Sequence, residues 1–106
     1  MTPKVSVLMN CFNGEDFLKQ SLESIFLQTY SNFEVIFIDN CSTDQSLQIA
    51  ESFNDDRLII KKTHKHMSLG QARNFGANFF SGKYLAFLDV DDLWMPNKLS
   101  LQVNFM

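Results

Sequence analysis

A parallel α/β fold is what the sequence predicts, and three observations predict it. Short apolar runs, Lys4 to Met9, Glu34 to Ile38, Leu58 to Lys62 and Tyr84 to Leu88, alternate with stretches of helical periodicity. Three of these runs stop abruptly at polar or acidic residues: Asn10 to Asn13, Asp39 to Cys41, and Asp89 to Asp92. Strands that alternate with helices join through right-handed crossovers, and the resulting sheet binds ligands at the carboxyl ends of its strands. The three polar segments, far apart in sequence, are therefore expected to meet in one crevice.

The first strand, Lys4 to Met9, carries β-branched Val5 and Val7 and ends at the loop signals Asn10-Cys11-Phe12-Asn13-Gly14. A helix from Glu15 to about Tyr30 follows, with Leu18, Leu22, Ile25 and Phe26 on one stripe and Glu15 and Asp16 in the first turn, where the dipole favours acids. Strand two, Glu34 to Ile38, ends in Asp39. Ser42 and Gln45 form an S-x-x-Q pattern expected to box the start of a second helix, which carries Leu47, Ile49, Ala50 and Phe53 before the polar break Asn54-Asp55-Asp56. Strand three is Leu58 to Lys62. A polar loop, Thr63 to Met67, leads to a second box at Ser68 and Gln71, opening a helix with Leu69, Ala72, Phe75, Gly76 and Phe79 on one side and Gly82 as its expected end. Strand four, Tyr84 to Leu88, is almost wholly apolar, which suits a strand covered on both faces. Pro96 is expected in the first turn of a last helix, Asn97 to about Phe105.

With 106 residues, 45% of them hydrophobic, and eleven Phe, the chain supports one packed domain. Its net charge of −3 creates no global field that would draw it to nucleic acid, so any phosphate must be held locally. Cys11 and Cys41 form no metal-ligand spacing, and Met1-Thr2-Pro3-Lys4 leads into a strand rather than a signal sequence, which points to a reduced, cytoplasmic protein. No apolar stretch approaches the ~20 residues that span a bilayer.

Chemistry concentrates in Asp89-Val90-Asp91-Asp92. If the strand stays extended through Asp91, the side chains of Asp89 and Asp91 share a face with Cα atoms ~6.6 Å apart. One carboxylate can then hold Mg²⁺ or Mn²⁺ while the other accepts from a sugar hydroxyl. The plainer alternative is a solvated turn, where Asp is common, but three crowded acids repel one another unless a cation sits among them. The turn after strand one has a single glycine, Gly14, and lacks G-x-G-x-x-G, and no P-loop is present. A diphosphate must then be handled by a metal and by Arg73, a combination that points to a nucleotide-sugar. His64 and His66 form a weaker metal pair, because Lys61, Lys62 and Lys65 surround them. Phe79, Phe80 and Phe87 have spacings that a core explains, and Trp94 either packs under a sugar or anchors its loop.

Together the segments resemble the N-terminal half of a family 2 glycosyltransferase with the Rossmann-like GT-A fold. The resemblance rests on Val5-Ser6-Val7-Leu8-Met9 leading to Phe12-Asn13, Ser24-Ile25 with Gln28-Thr29-Tyr30, Ile38-Asp39 with Ser42-Thr43-Asp44, Ala72-Arg73-Asn74-Phe75-Gly76, and Leu88-Asp89-Val90-Asp91-Asp92. It covers nearly the whole chain and implies that residues 1–106 are the nucleotide-sugar-binding part of one glycosyltransferase domain. Asn10, Phe12 and Asn13 would border the nucleoside, with Phe12 stacking on the base. Asp39 would accept from the N3–H of uracil, Arg73 would reach the nucleotide from the side, Asp89 would sit near ribose and sugar, and Asp91, Asp89 and Asp92 would hold Mg²⁺ or Mn²⁺. The family more often has a proline and a tyrosine in the first loop and a second acid where Asn40 stands.

The function so implied is metal-dependent, inverting transfer of a sugar from a UDP-sugar to an acceptor hydroxyl, on a saccharide or a lipid-linked acceptor, in polysaccharide or glycoconjugate synthesis. The catalytic base is expected beyond Met106, so the 106 residues alone are expected to bind donor without transferring sugar. The expected location is cytoplasmic, peripheral to the inner face of the membrane in the full protein. Leu99, Leu101, Val103, Phe105 and Met106 have no later element to cover them, which predicts self-association through an uncovered edge. The alternative is a noncatalytic regulatory or phosphoacceptor α/β module whose aspartates hold Mg²⁺. That reading needs a lysine at the end of a further strand, and no recognisable one is present.

Overall fold

The computed structural model describes residues 4–104. Its elements are β1 (Val5–Cys11), α1 (Glu15–Phe26), β2 (Phe33–Asp39), α2 (Ser46–Glu51), β3 (Leu58–Lys62), α3 (Leu69–Ala77), β4 (Tyr84–Phe87) and α4 (Lys98–Asn104). All strand pairs are parallel, in the order β3-β2-β1-β4. From β1 the chain builds outward through β2 to β3, then returns to place β4 on the other side. The switch point lies between β1 and β4, where the crossovers diverge and the strand ends open into a crevice.

The two central strands divide their side chains between two layers, as strand alternation requires. Val5, Val7, Met9 and Cys11 of β1, with Phe33, Val35 and Phe37 of β2, pack against Leu18, Leu22 and Ile25 of α1, Ala50 of α2, and Trp94 and Leu99. On the opposite face Leu8, Ile36 and Ile38 meet Phe75, Phe79 and Phe80 of the α3 region. Trp94 is thus an anchor in the main core. At the amino ends of the strands, the buried Glu34 carboxylate accepts from Ser6 Oγ at 2.6 Å, Ser81 N at 2.8 Å and Ser81 Oγ at 2.7 Å, with Lys4 Nζ 3.3 Å away. Burial alone would push this carboxyl up, but its donors outweigh burial and hold it below its ordinary value. Gly82 closes the clamp by donating to Ser6 Oγ at 2.8 Å.

Several expectations from sequence are corrected. Helix α1 stops at Phe26 rather than Tyr30, because Gln28 turns inward, donating to Met95 O at 2.7 Å and accepting from Leu99 N at 3.0 Å, while Thr29 N donates to Pro96 O. Ser42 does not box α2; that helix begins at Ser46, whose amide is capped by Asp44 Oδ1 at 2.9 Å. The second box forms as expected, Ser68 Oγ accepting from Gln71 N and Gln71 Oε1 from Ser68 N. Leu69 is exposed, however, and Gly82 does not end α3, which stops at Ala77. Glycine is needed at 82 because a Cβ there would lie 2.6 Å from Ser6 Oγ and 2.7 Å from Ser6 N.

Strand β4 is not covered on both faces. It is an edge, α3 lies over β1 and β2, and Leu85 and Phe87 are 39% and 46% exposed. Phe87 is accordingly not a core residue. Pro96 precedes α4 instead of entering it, and Leu99 is buried in the core rather than left uncovered. Leu101 is exposed, Val103 packs partly against the core, and Phe105 and Met106 lie outside the described residues. Among the described residues no helix is long and apolar enough to cross a membrane.

Candidate functional site

The site is built from the loops that leave β1, β2 and β4. The first two loops hold each other. Asn40 N donates to Cys11 O at 2.8 Å, Asn13 N to Ser42 Oγ at 3.0 Å, Gly14 N to Ser46 Oγ at 2.9 Å and Glu15 N to Asp44 Oδ2 at 3.1 Å. In return Asn13 Oδ1 accepts from Thr43 N at 2.7 Å, and Glu15 Oε2 from Gln45 N at 3.1 Å. Each helix start thus takes acceptors from the other's loop, satisfying amides that a helix leaves open. The clasp supports two left-handed non-glycine residues, Asn13 (φ 52°) and Cys41 (φ 59°). It also commits the Asn13 carbonyl to Thr43.

The acid segment is shaped differently from the expectation. Strand β4 ends at Phe87, and Asp92 N donates to Asp89 O at 3.0 Å, closing a turn. The extended backbone through Asp91 does not occur; the turn, not strand alternation, gathers the acids. Carboxylate oxygens of Asp89, Asp91 and Asp92 all lie within 4.8 Å of one another, and all three residues are exposed. Helix α1 fixes this turn: Ser21 Oγ bonds Val90 O and, at 2.8 Å, Asp92 O, while Ser24 Oγ accepts from Trp94 N at 3.1 Å. A Cβ on Gly14 would come within 2.6 Å of Val90 Cγ2, so the loop after β1 and the acid turn are in direct contact. Hard oxygen donors this close, on a rigid and open turn, suit Mg²⁺ or Mn²⁺.

A cavity of about 260 Å³ opens where the loops after β1 and β3 meet the start of α3, bordered by Asn10, Phe12, Asn40, His66, Met67 and Ala72 among others. Its mouth is aromatic: Phe12, half exposed, meets the His66 ring edge-on with centroids 4.5 Å apart. Cys11, which also lines the cavity, is buried, and burial pushes its thiol up from its ordinary value. Three groups assigned to the site from sequence carry buried polar atoms with no hydrogen-bond partner: Asn10 Oδ1, Asp39 Oδ1 and Arg73 Nε. Buried polar atoms are nearly always paired, and the fourth exception among the described residues, Gln102 Oε1, lies on α4. The Arg73 guanidinium lies 4.3 Å over the open Phe87 ring, on the β4 side of α3. A larger hollow of about 360 Å³, between Phe26, Leu27 and Phe53, holds none of the strand-end residues and none of these unpaired atoms.

Of the residues assigned from sequence, Asn10 and Phe12 line this cavity; Asp39, Arg73 and the three acids are not part of its lining, and Asn13 is engaged in holding the loop. Sequence reasoning missed the Thr63 to Met67 loop as a wall of the cavity and treated His66 as a metal candidate. Among the described residues no histidine joins the metal-competent cluster. The signal was present in the capping box at Ser68, which fixes where that loop must end.

A model of glycosyl transferase family 2 matches residues 6–106. The chain belongs to that family. Its GT-A fold agrees with solved relatives: the chain superimposes on S. aureus TarS residues 1–349 in complex with UDP-GlcNAc with a TM-score of 0.91 and 31% identity, covering 96% of this chain and 30% of that one. It superimposes on the mannosyltransferase PcManGT of Pyrobaculum calidifontis, in complex with GDP-Man and Mn²⁺, with a TM-score of 0.82 and 25% identity, over 95% of this chain and 31% of that one. Among curated relatives, the UDP-Glc:alpha-D-GlcNAc-diphosphoundecaprenol beta-1,3-glucosyltransferase WfaP of Escherichia coli is 37% identical over 102 residues, which is 96% of this chain and 41% of the relative. The chain therefore spans well under half of the family members it matches. Family 2 membership sets aside the regulatory or phosphoacceptor alternative.

Proposed function

We propose that residues 1–106 form the donor-binding part of a single family 2 glycosyltransferase domain, which transfers a sugar from a UDP-sugar to an acceptor hydroxyl with inversion. The observation that carries this reading is the acid turn of Asp89, Asp91 and Asp92 after β4, supported by the buried, unpaired Asn10 Oδ1, Asp39 Oδ1 and Arg73 Nε on β1, β2 and α3. Phe12 stacks on the uracil, whose N3–H would supply a donor to the unpaired Asp39 Oδ1. Asn10 borders the nucleoside, Asn13 keeps the loop in place, and Arg73, steadied on Phe87, approaches the phosphates from the open face of β4. Asp89 lies nearest ribose and sugar. Asp91, with Asp89 and Asp92, holds the divalent ion, and a bound Mg²⁺ or Mn²⁺ supplies charge neutralisation for the departing diphosphate.

Inverting transfer also needs a base to deprotonate the acceptor hydroxyl. Glu15 and Asp44 are engaged in the loop clasp, and the remaining acids of the crevice are assigned to donor and metal. The base is therefore assigned to the part of the relatives that this chain does not match. Several supports favour UDP and a lipid-linked acceptor: the carboxylate at the base edge, the UDP-GlcNAc complex of TarS, and the diphosphoundecaprenol substrate in the name of WfaP. A lipid-linked acceptor would place the full protein at the cytoplasmic face of a membrane.

Calorimetric titration with UDP tests the reading. Binding is expected with Mn²⁺ or Mg²⁺ and lost with chelator, because no glycine-rich loop holds the diphosphate unaided. Equal affinity in both conditions removes the metal from the site, and Asp91→Asn is expected to abolish the difference while leaving the melting temperature unchanged.

A further inference from the structure

We infer that Asn40 is a positioning residue for the base-binding end of the crevice, an assignment that rests on the nucleotide reading above. Asn40 follows Asp39 at the end of β2 and is 6% exposed. Its side chain bonds both sides of a single backbone residue: Nδ2 donates to Met67 O at 2.8 Å and Oδ1 accepts from Met67 N at 2.8 Å. Oδ1 also accepts from Thr63 Oγ1 at 3.3 Å, and the Asn40 backbone amide donates to Cys11 O at 2.8 Å. One residue thereby ties the ends of β1 and β2 to both ends of the loop from Thr63 to Met67. It does so as a neighbouring strand would, with a donor and an acceptor side by side.

That loop has no regular structure of its own, and its middle residues, His64, Lys65 and His66, are exposed. Its tip nevertheless brings His66 against Phe12, and its end delivers the Ser68 cap that starts α3, the helix carrying Arg73. The placement of His66 against Phe12 is therefore set by the Asn40 bonds, at the cavity that the nucleotide reading assigns to the base. The requirement for a carboxamide follows from the paired bonds. A carboxylate accepts from Met67 N but cannot donate to Met67 O, and it sets negative charge against that carbonyl. This explains an asparagine where the family more often carries an acid, and it gives Asn40 a role that involves neither phosphate nor metal.

The test compares the wild-type chain with Asn40→Asp, which keeps the size and one of the two bonds, and Asn40→Ala, which keeps neither. Amide exchange followed by NMR is expected to show the Met67 N–H protected in the wild type, partly protected in the aspartate variant and unprotected in the alanine variant. Titrations with UDP and with inorganic diphosphate, both in Mn²⁺, are expected to separate: UDP affinity falls about tenfold in Asn40→Ala, the order of one lost hydrogen-bonded arrangement, while diphosphate affinity holds within about twofold. A general loss of folding would weaken both ligands equally, and that outcome overturns the positioning role. So does unchanged Met67 exchange with unchanged UDP affinity in both variants. Absence of UDP binding by the wild type refutes the nucleotide reading instead, and the order of Met67 exchange then decides alone whether Asn40 holds the loop.

Discussion

Replacing Asp39 with asparagine should make the protein more stable and worse at holding UDP. The side chain is 4% exposed, and its Oδ1 is buried without a hydrogen-bond partner. Leaving a buried polar atom unpaired costs about 1–3 kcal/mol, more when the group is charged. A neutral carboxamide of the same shape removes the charged part of that cost, so a gain of about 1 kcal/mol is expected, a rise in melting temperature of roughly 4–8 °C for a domain of this size. Binding moves the other way. Asparagine keeps an acceptor oxygen for the N3–H but loses its charge, so the difference between a charged and a neutral hydrogen bond, about 1–1.5 kcal/mol, should raise the UDP dissociation constant about 5- to 13-fold. The preference for UDP over CDP narrows as well, because an amide can rotate to donate to the N3 of cytosine whereas a carboxylate can only accept. Differential scanning fluorimetry reads the first effect and calorimetry with UDP and CDP in Mn²⁺ the second. If the variant melts lower and keeps the wild-type preference for UDP over CDP, the unpaired oxygen is not facing the base and the reasoning fails.

Two further outcomes test how the frame positions the site. Gly82→Ala should destabilise the fold by about 1–3 kcal/mol in urea unfolding, because the new methyl meets Ser6 N at 2.7 Å and Lys4 O at 2.9 Å, backbone atoms that cannot rotate away; a change below about 0.5 kcal/mol would show that β4 slides freely past β1. The Glu34 carboxyl is held below its ordinary value of 4.5, so its contribution is present above that pH and is lost as pH falls through the lower folded-state value. The melting-temperature advantage of wild type over Glu34→Gln should therefore shrink on acidification below about pH 4.5, and an advantage that does not vary with pH would remove the linkage.

The order and type of every element were legible in the sequence, because four apolar runs separated by helical stripes leave little choice for a chain of this length. Boundaries failed where tertiary hydrogen bonds replaced local ones. Gln28 looked like a continuation of α1, yet its side chain satisfies Met95 and Leu99, more than sixty positions away. Ser42 has the pattern of a cap for its own helix, yet its hydroxyl accepts from Asn13 N in the loop before α1. In both cases the local pattern was chemically sound and a distant partner used the same atoms. The acids at 89, 91 and 92 are legible as a cluster in the sequence, but a turn rather than alternation along a strand brings them together.

Burial of β4 could not be read from composition, since an apolar strand is central or peripheral only by virtue of its neighbours. The order β3-β2-β1-β4 makes it an edge, and this has a consequence for the donor-site proposal. Asp39 stands at the end of β2 and the acid turn beyond the end of β4, with β1 between them. Two inter-strand spacings, about 9.6 Å, therefore separate the strand ends that would hold the base and the metal, leaving room for a ribose to lie across β1. Asn10 and Phe12, on the loop that leaves β1, are then the residues directly below it. The open face of β4 serves the same geometry: Phe87, uncovered because α3 lies over β1 and β2, offers its ring to Arg73 at 4.3 Å. A guanidinium steadied on an aromatic face keeps its charge and its in-plane N–H donors free. An apolar side chain at the edge of the sheet thus holds Arg73, the cation assigned to the candidate site, on the side where the diphosphate would lie.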